Sequence, residues 1–483
     1  MAKLIVKKSI SFLSLLNTSD KQITKHIKEL NLNTRTSKSN GLWCCVLLPT
    51  ICNLYLFQYS VSPLYKLIAL LSIGLSIYSL LFIILLSSSN SVLKEPVYGG
   101  ILSTSLISAL LIYTSLDHGL CTSLFYSIWS VFMYSWLIRL SLMKFQNTFT
   151  LGEVMILTQG IVLLMISIVA QLSCNRNETD EEIVLISSVI YIVWTTLGLI
   201  ITALYLLTEQ QRNIKSLCCI LGICTVFALV ALHIRLGVNI IYKLLYYIFV
   251  ENNRGRLILF WGILVGMSVM VLAIRTQTAD KASTGTRKAF HLLASLVFMS
   301  GILLDINLMN LAGGIAFGLL ILLEALRKSK IDPISSTLQS VFDVYSDEKD
   351  NGCFAVTPLY LYIGLVCPLI LTPRGAPTLD RLAGVLSVGV GDSAASFFGS
   401  NYGSNKWPGS NRTYEGTLFN ILSQVAMVYA LLLLGVLDSR NTIIRTTLAA
   451  VVTSLVEAKT NQVDNLVLPL VTIVGFQLTW HLS

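Results

Sequence analysis

Residues 64–87 read LYKLIALLSIGLSIYSLLFIILLS, with Lys66 as the one charge. At about 1.5 Å of rise per residue such a run makes a helix of about 36 Å, enough to cross a hydrocarbon core of about 30 Å. Comparable blocks recur through the chain, at 41–60, 98–116, 120–143, 153–172, 182–207, 216–236, 256–274, 288–304, 308–326, 353–371, 380–398, 416–437, 442–457 and 465–480. Backbone in lipid must satisfy its own hydrogen bonds, so these blocks predict an all-α polytopic transmembrane helix bundle of about fifteen spans. The run 238–250, VNIIYKLLYYIFV, is short for a span and is expected in the interface.

Composition agrees. Of 483 residues, 54% are hydrophobic and 12% charged, with a mean hydropathy of +0.73. A soluble globule carries roughly 25% charge, so a soluble enzyme, a disordered chain and a fibrous repeat are excluded. The formal net charge of +9 fits basic loops facing anionic lipid. No basic face with interleaved aromatics suggests nucleic acid, and none is expected as a partner. The ten cysteines fall mostly in apolar blocks, without CxxC pairs, and read as small buried side chains.

Basic residues set the orientation. Lys3, Lys7, Lys8, Lys21, Lys25, Lys28, Arg35 and Lys38 place the N-terminal segment 1–40 in the cytoplasm. Counting spans forward puts the loops holding Lys94, Lys144, Arg212, Lys215, Arg275, Lys281, Arg287 and Lys288 on the same side. The sequon at Asn177 then faces the lumen. In the second half, the polar connections 327–352, 399–415 and 458–464 gather on the cytoplasmic face, as an interfacial active site requires. The expected organisation is a cytoplasmic segment 1–40, scaffold or lipid-holding helices 41–280, and a catalytic region 281–483.

The chemistry concentrates in 391–417, GDSAASFFGSNYGSNKWPGSNRTYEGT. Gly391, Gly399, Gly403, Gly409 and Gly416 let backbone N–H groups approach a ligand. Lys406 and Arg412 can neutralise phosphate, while Asp392 and Glu415 are placed to hold Mg²⁺ against phosphates. Glycines, cations and carboxylates together read as a nucleotide-polyphosphate loop, although the spacing is not that of a P-loop. Asp392 stands in an otherwise apolar stretch, where a charge costs about 2.5–3.5 kcal/mol, which marks it as functional. Arg287 and His291, in RKAFH, lie four apart on one helical face and can address one headgroup or phosphate. The acidic stretch from Asp343 to Gly352 could supply metal ligands, although it lacks EF-hand spacing. In EAKTNQVDN, Asp464 could cap the last helix or join Asp392 around a metal.

Taken in order, RKAFH, DEKDNG, the 391–417 run and EAKTNQVDNLVLP resemble the dolichol kinase family of CTP-dependent polyprenol kinases. The resemblance covers roughly 287–470, and the earlier residues are similar only in hydropathy. It implies a multi-pass endoplasmic-reticulum enzyme that moves the γ-phosphate of CTP to dolichol, making the lipid carrier for protein glycosylation. It implies a cytoplasmic CTP loop at 399–416, comprising Gly399, Ser400, Asn401, Gly403, Ser404, Asn405, Lys406, Trp407, Pro408, Gly409, Asn411, Arg412, Thr413, Glu415 and Gly416. Asp392, Asp464, His291 and Arg287 are the implied catalytic residues, with Asp392, Asp464 and Glu415 as candidate ligands of Mg²⁺. The family usually has two basic residues where this chain has Asn411 and Arg412, so either CTP is expected to bind more weakly or Arg374, Lys459 or another residue is expected to supply the second charge. RKxxH and the glycine loop are shared with CTP-dependent diacylglycerol and phytol kinases, which remain alternatives. A transporter is the other alternative, although no inverted repeat is seen.

Overall fold

The computed structural model describes residues 18–173, 180–278, 284–346, 350, 352–437 and 441–482. Lys3, Lys7, Lys8, Asn177, Lys281, Asp347, Glu348, Lys349 and Asn351 lie outside the described residues.

Every expected apolar block is helical. In chain order the helices are α1 (Leu47–Gln58, entered through a 3₁₀ turn Leu42–Val46), α2 (Pro63–Ser88), α3 (Tyr98–Ser115), α4 (Leu120–Lys144), α5 (Leu151–Ser173), α6 (Glu181–Leu206), α7 (Ile214–Leu236), α8 (Ile240–Phe249) and α9 (Arg254–Thr278). There follow α10 (Thr284–Leu304), α11 (Ile306–Lys328), α12 (Ile334–Tyr345), α13 (Val356–Leu371), a π-helix (Val385–Asp392), α14 (Ser393–Tyr402), α15 (Tyr414–Leu433), α16 (Thr442–Lys459) and α17 (Asp464–Leu478). The ends carry ordinary signals. Ser62 caps α2 by accepting from Tyr65 N, with Pro63 in the first turn, where its missing N–H costs nothing.

Among the described residues, ten helices are long and apolar enough to cross a membrane. The expected count of about fifteen is therefore not reached on length. The five blocks that fall short are 41–60, 353–371, 380–398, 442–457 and 465–480. They form helices that are short, broken or more polar. The ten-residue α8 reaches only about 15 Å, too short to span.

Among the described residues two large apolar cores organise the bundle, and a smaller third joins α6 and α7 through Ile200, Leu204, Leu217 and Cys224. One joins α1–α5 through Leu71, Tyr78, Phe82, Tyr134 and Ile166. The other runs through α10, α11, α13, the π-helix and α17. Helix α17 is the central post, buried along almost its whole length, as expected of a helix that is apolar all round. By contrast α7 and α9 bury only 11% of their spanning windows and form the periphery.

Candidate active site

The chain turns from π-helix to α-helix at Asp392, and that turn places the site. A π-helix bonds i to i+5 and is a feature that recurs at functional positions. Here it is held between neighbours that come unusually close. A Cβ at Gly391 would sit 2.7 Å from Gln424 Nε2 and nearer still to Asn420 Oδ1, both on α15. A Cβ at Gly389 would collide with Ser295 Oγ of α10. Glycine is needed at both positions because only a bare backbone fits.

Asp392 is buried and its Oδ2 accepts from Lys288 Nζ. His291 Nδ1 lies 4.0 Å from the same oxygen. Lys288, His291 and Ser295 follow one another along a single face of α10, at the three- and four-residue spacing of a helix. The face expected from sequence was that of Arg287 and His291. Arg287 is half-buried and immediately precedes Lys288, the side chain that reaches Asp392.

A second group of charges meets beside it. Arg412 donates from Nη1 to Glu457 Oε1 and from Nη2 to Asp464 Oδ2, each at 2.6 Å. The Asp464 carboxylate foremost, then Glu457 and Asp392, holds the guanidinium more firmly protonated than usual, against the opposing effect of burial. Glu457 is buried, and its Oε2 accepts from Asn420 Nδ2, whose own Oδ1 accepts from Gln424 Nε2. Thus α15, α16, α17, the π-helix and α10 each give a polar side chain to one end of the bundle. Three buried polar atoms there, His291 Nδ1, Ser295 Oγ and Asp464 Oδ1, have no hydrogen-bond partner. Buried polar atoms are nearly always bonded, so these three have hydrogen-bonding capacity left for a ligand or water.

The glycine loop is narrower than 399–416. Gly399, Ser400 and Asn401 belong to the last turn of α14, where Ser400 Oγ bonds Phe397 O at 3.0 Å. Residues 403–413 form a hairpin closed by the Lys406–Thr413 bridge, with Trp407 N on Arg412 O at 2.9 Å and Tyr414 N on Asn405 O at 2.9 Å. Pro408 and Gly409 make the tip, and Gly409 takes φ +75°, a left-handed value natural only to glycine. Trp407 anchors the hairpin, donating from Nε1 to Thr417 Oγ1 at 2.9 Å with its ring centroid 4.2 Å from that of Tyr414. Thr413 caps α15 by accepting from Gly416 N at 3.1 Å. Lys406 and Asn411 are exposed.

Glu415 does not join the other carboxylates. Its oxygens accept from Ser404 Oγ at 2.7 Å and from Asn405 N at 3.2 Å, bracing the hairpin. Among the described residues no three His, Cys, Asp or Glu side chains form a metal group, so the expected set of Asp392, Asp464 and Glu415 is not brought together. Arg374 is also displaced. It sits in the turn where Thr372 meets Tyr55, whose hydroxyl reaches Asp380, a partner of Gln477. That end of α17 is about 20 Å from Asp464. The acidic stretch is partly structural, since Asp350 Oδ1 accepts from Thr357 N at 2.9 Å in the first turn of α13.

Sequence reading left Lys288, Glu457, Asn420 and Ser295 unassigned. A signal existed for Glu457 and Asn420, each a polar residue inside an apolar run, by the reasoning that marked Asp392.

The family model for dolichol kinase matches residues 76–360. Dolichol kinase of Mus musculus is 31% identical over 366 residues, covering 71% of this chain and 67% of the relative. That of Homo sapiens is 30% identical over the same length and shares, and that of Saccharomyces cerevisiae is 26% identical over 210 residues, 43% of this chain and 38% of the relative. No solved structure matches. The likeness therefore reaches far into the first half, which by sequence alone had looked similar only in hydropathy. A match over most of the chain, on a many-helix membrane fold with buried charges gathered at one end, means that the chain belongs to the dolichol kinase family.

Proposed function

We propose that this chain transfers the γ-phosphate of CTP to the terminal hydroxyl of dolichol, in the endoplasmic-reticulum membrane, with the 403–413 hairpin facing the cytoplasm. The observation that carries the reading is the cluster of orphaned and charged groups from Lys288 to Asp464 beside that hairpin.

In phosphoryl transfer the enzyme mainly positions the reactants and stabilises charge. Lys406, exposed on the hairpin, and Arg412, fixed by two carboxylates, are suited to the triphosphate. Arg412 enters the reaction already oriented, which spares the ordering cost of a free side chain. The dolichol hydroxyl attacks the γ-phosphorus, the bond from that phosphorus to the β–γ bridging oxygen breaks, and CDP leaves. The hydroxyl proton passes to Asp392 or to His291 Nδ1, two groups of the site with acceptor capacity. Lys288 holds the Asp392 carboxylate in place. The isoprenoid tail stays in lipid.

The donors suit a hard divalent cation, because Mg²⁺ commonly takes one or two carboxylates plus substrate phosphates. Asp392 and Asp464, whose Oδ1 is buried and unbonded, would hold it, and Glu415, spent on the hairpin, would not. When bound it neutralises phosphate charge.

Purified protein given radiolabelled CTP and a panel of dolichol, diacylglycerol and phytol tests the reading, with ATP, GTP and UTP as rival donors. Label is expected in dolichol from CTP. Faster labelling of another lipid, or from another nucleotide, refutes the assignment.

A further inference from the structure

Residues 33–41 form a strap stitched to the entrance of α5. Asn147 N donates to Asn33 O at 2.7 Å, Arg35 N to Phe149 O at 2.9 Å and Gly152 N to Asn40 O at 2.8 Å. From this strap the first half of the chain grips the two loops of the site. Lys38 Nζ donates to Gly409 O at the hairpin tip, at 2.6 Å. Gln462, two residues before Asp464, accepts from Thr150 Oγ1 at 2.6 Å and donates to Ser39 O at 3.0 Å. Gly41, at φ +67°, leaves the space that this side chain fills.

The central piece is Glu153. Thr150 N donates to its Oε2 at 3.0 Å and Glu153 N returns to Thr150 Oγ1 at 3.4 Å, the reciprocal arrangement of a capping box. Its other oxygen, Oε1, takes Arg35 and also Val463 N, the latter at 3.2 Å. Glu153 is fully buried and Arg35 nearly so. A buried ion pair seldom adds net stability over apolar packing of the same volume. This one fixes the backbone immediately before Asp464, and Asp464 holds Arg412.

We propose that Glu153, with Arg35, Thr150 and Gln462, is a positioning joint. It sets the Gln462–Val463 turn so that Asp464 meets Arg412, and through it the first half of the chain takes part in nucleotide binding. The nucleotide part rests on the function proposed above.

The test uses the full chain with CTP as the probe. Thr150→Val removes one bond to the turn, Gln462→Ala removes the two that its side chain makes to Thr150 and Ser39, and Glu153→Gln removes the charge. Each is expected to raise the KM for CTP about three- to tenfold with kcat within about twofold, and to speed amide exchange at 462–466 relative to α2. On an Arg412→Ala background the added KM effect is expected to fall below about twofold, because the joint acts through that residue. Folded variants with unchanged KM and unchanged exchange overturn the proposal, as do effects that multiply independently of Arg412. Should Glu153→Gln fail to fold, the two milder variants decide. If Arg412→Ala alone leaves the KM for CTP unmoved, the nucleotide reading fails, while exchange at 462–466 still judges the joint.

Discussion

Replacing Asp392 by asparagine separates its two roles. The substitution keeps the shape and removes the charge that faces Lys288. Stranding one member of a buried ion pair costs about 3–5 kcal/mol. Lys288, however, remains 22% exposed and can turn its ammonium toward water, which lowers the cost to about 1–3 kcal/mol. Spread over a chain of this size, that is a fall in melting temperature of roughly 1–3 °C. Turnover should fall at least about a hundredfold, a barrier rise of about 2.7 kcal/mol, because the amide is a poor proton acceptor and a weaker ligand for a cation. The double variant Lys288→Met/Asp392→Asn removes both charges and should melt near the wild-type temperature, yet stay as inactive as the single one. Thermal melting in detergent and CTP-dependent labelling of dolichol, measured on the same preparations, give both quantities. A double variant that regains turnover along with stability would make the pair purely structural. So would a single variant working at more than about a tenth of the wild-type rate, a change of only about 1.4 kcal/mol.

Three more outcomes follow from the packing and the orientation. Gly391→Ala drives a methyl group into Asn420 and Gln424; overpacking of this kind costs about 1–3 kcal/mol and should lower turnover by moving Asn420 off Glu457. Gly262→Ala, where nothing lies within 4 Å, should leave both melting and turnover unchanged. Glycan mapping in cells should find Asn177 modified and Asn411 bare; a glycan on Asn411 would put the hairpin in the lumen, away from cytosolic CTP, and end the mechanism proposed.

Much of this architecture was readable before any coordinates, because a membrane span is a one-dimensional signal. The block expected at 120–143 is the helix Leu120–Lys144, and that at 182–207 is Glu181–Leu206. The π-helix was not readable. VLSVGVGD is as apolar as an ordinary helix, and the wider turn comes from close neighbours on α10 and α15 rather than from its own composition. Pairing was harder still. Lys288 and Asp392 are 104 residues apart, and Arg412 stands 45 and 52 residues from its two carboxylates. Composition says that a buried charge needs a partner but not which one. The site was legible as a set of residue types on one face, and its wiring was not.

The strap and the last helix together have a consequence for how the molecule is made. Arg35 and Lys38 leave the ribosome early, whereas Asp464, which completes the grip on Arg412, follows more than four hundred residues later. At roughly 5–20 residues per second that interval is about 20–90 seconds. Once Glu153 has followed, 118 residues after Arg35, the two can pair, but the turn they brace has not yet been synthesised. Helix α17, the post against which the second half packs, is made after every other helix named here. A nascent chain therefore cannot hold the cluster in working order until α17 is in place, and a chain stalled before α17 leaves Arg412 and Glu457 without their third partner. Completion of the site is thereby tied to the arrival of α17.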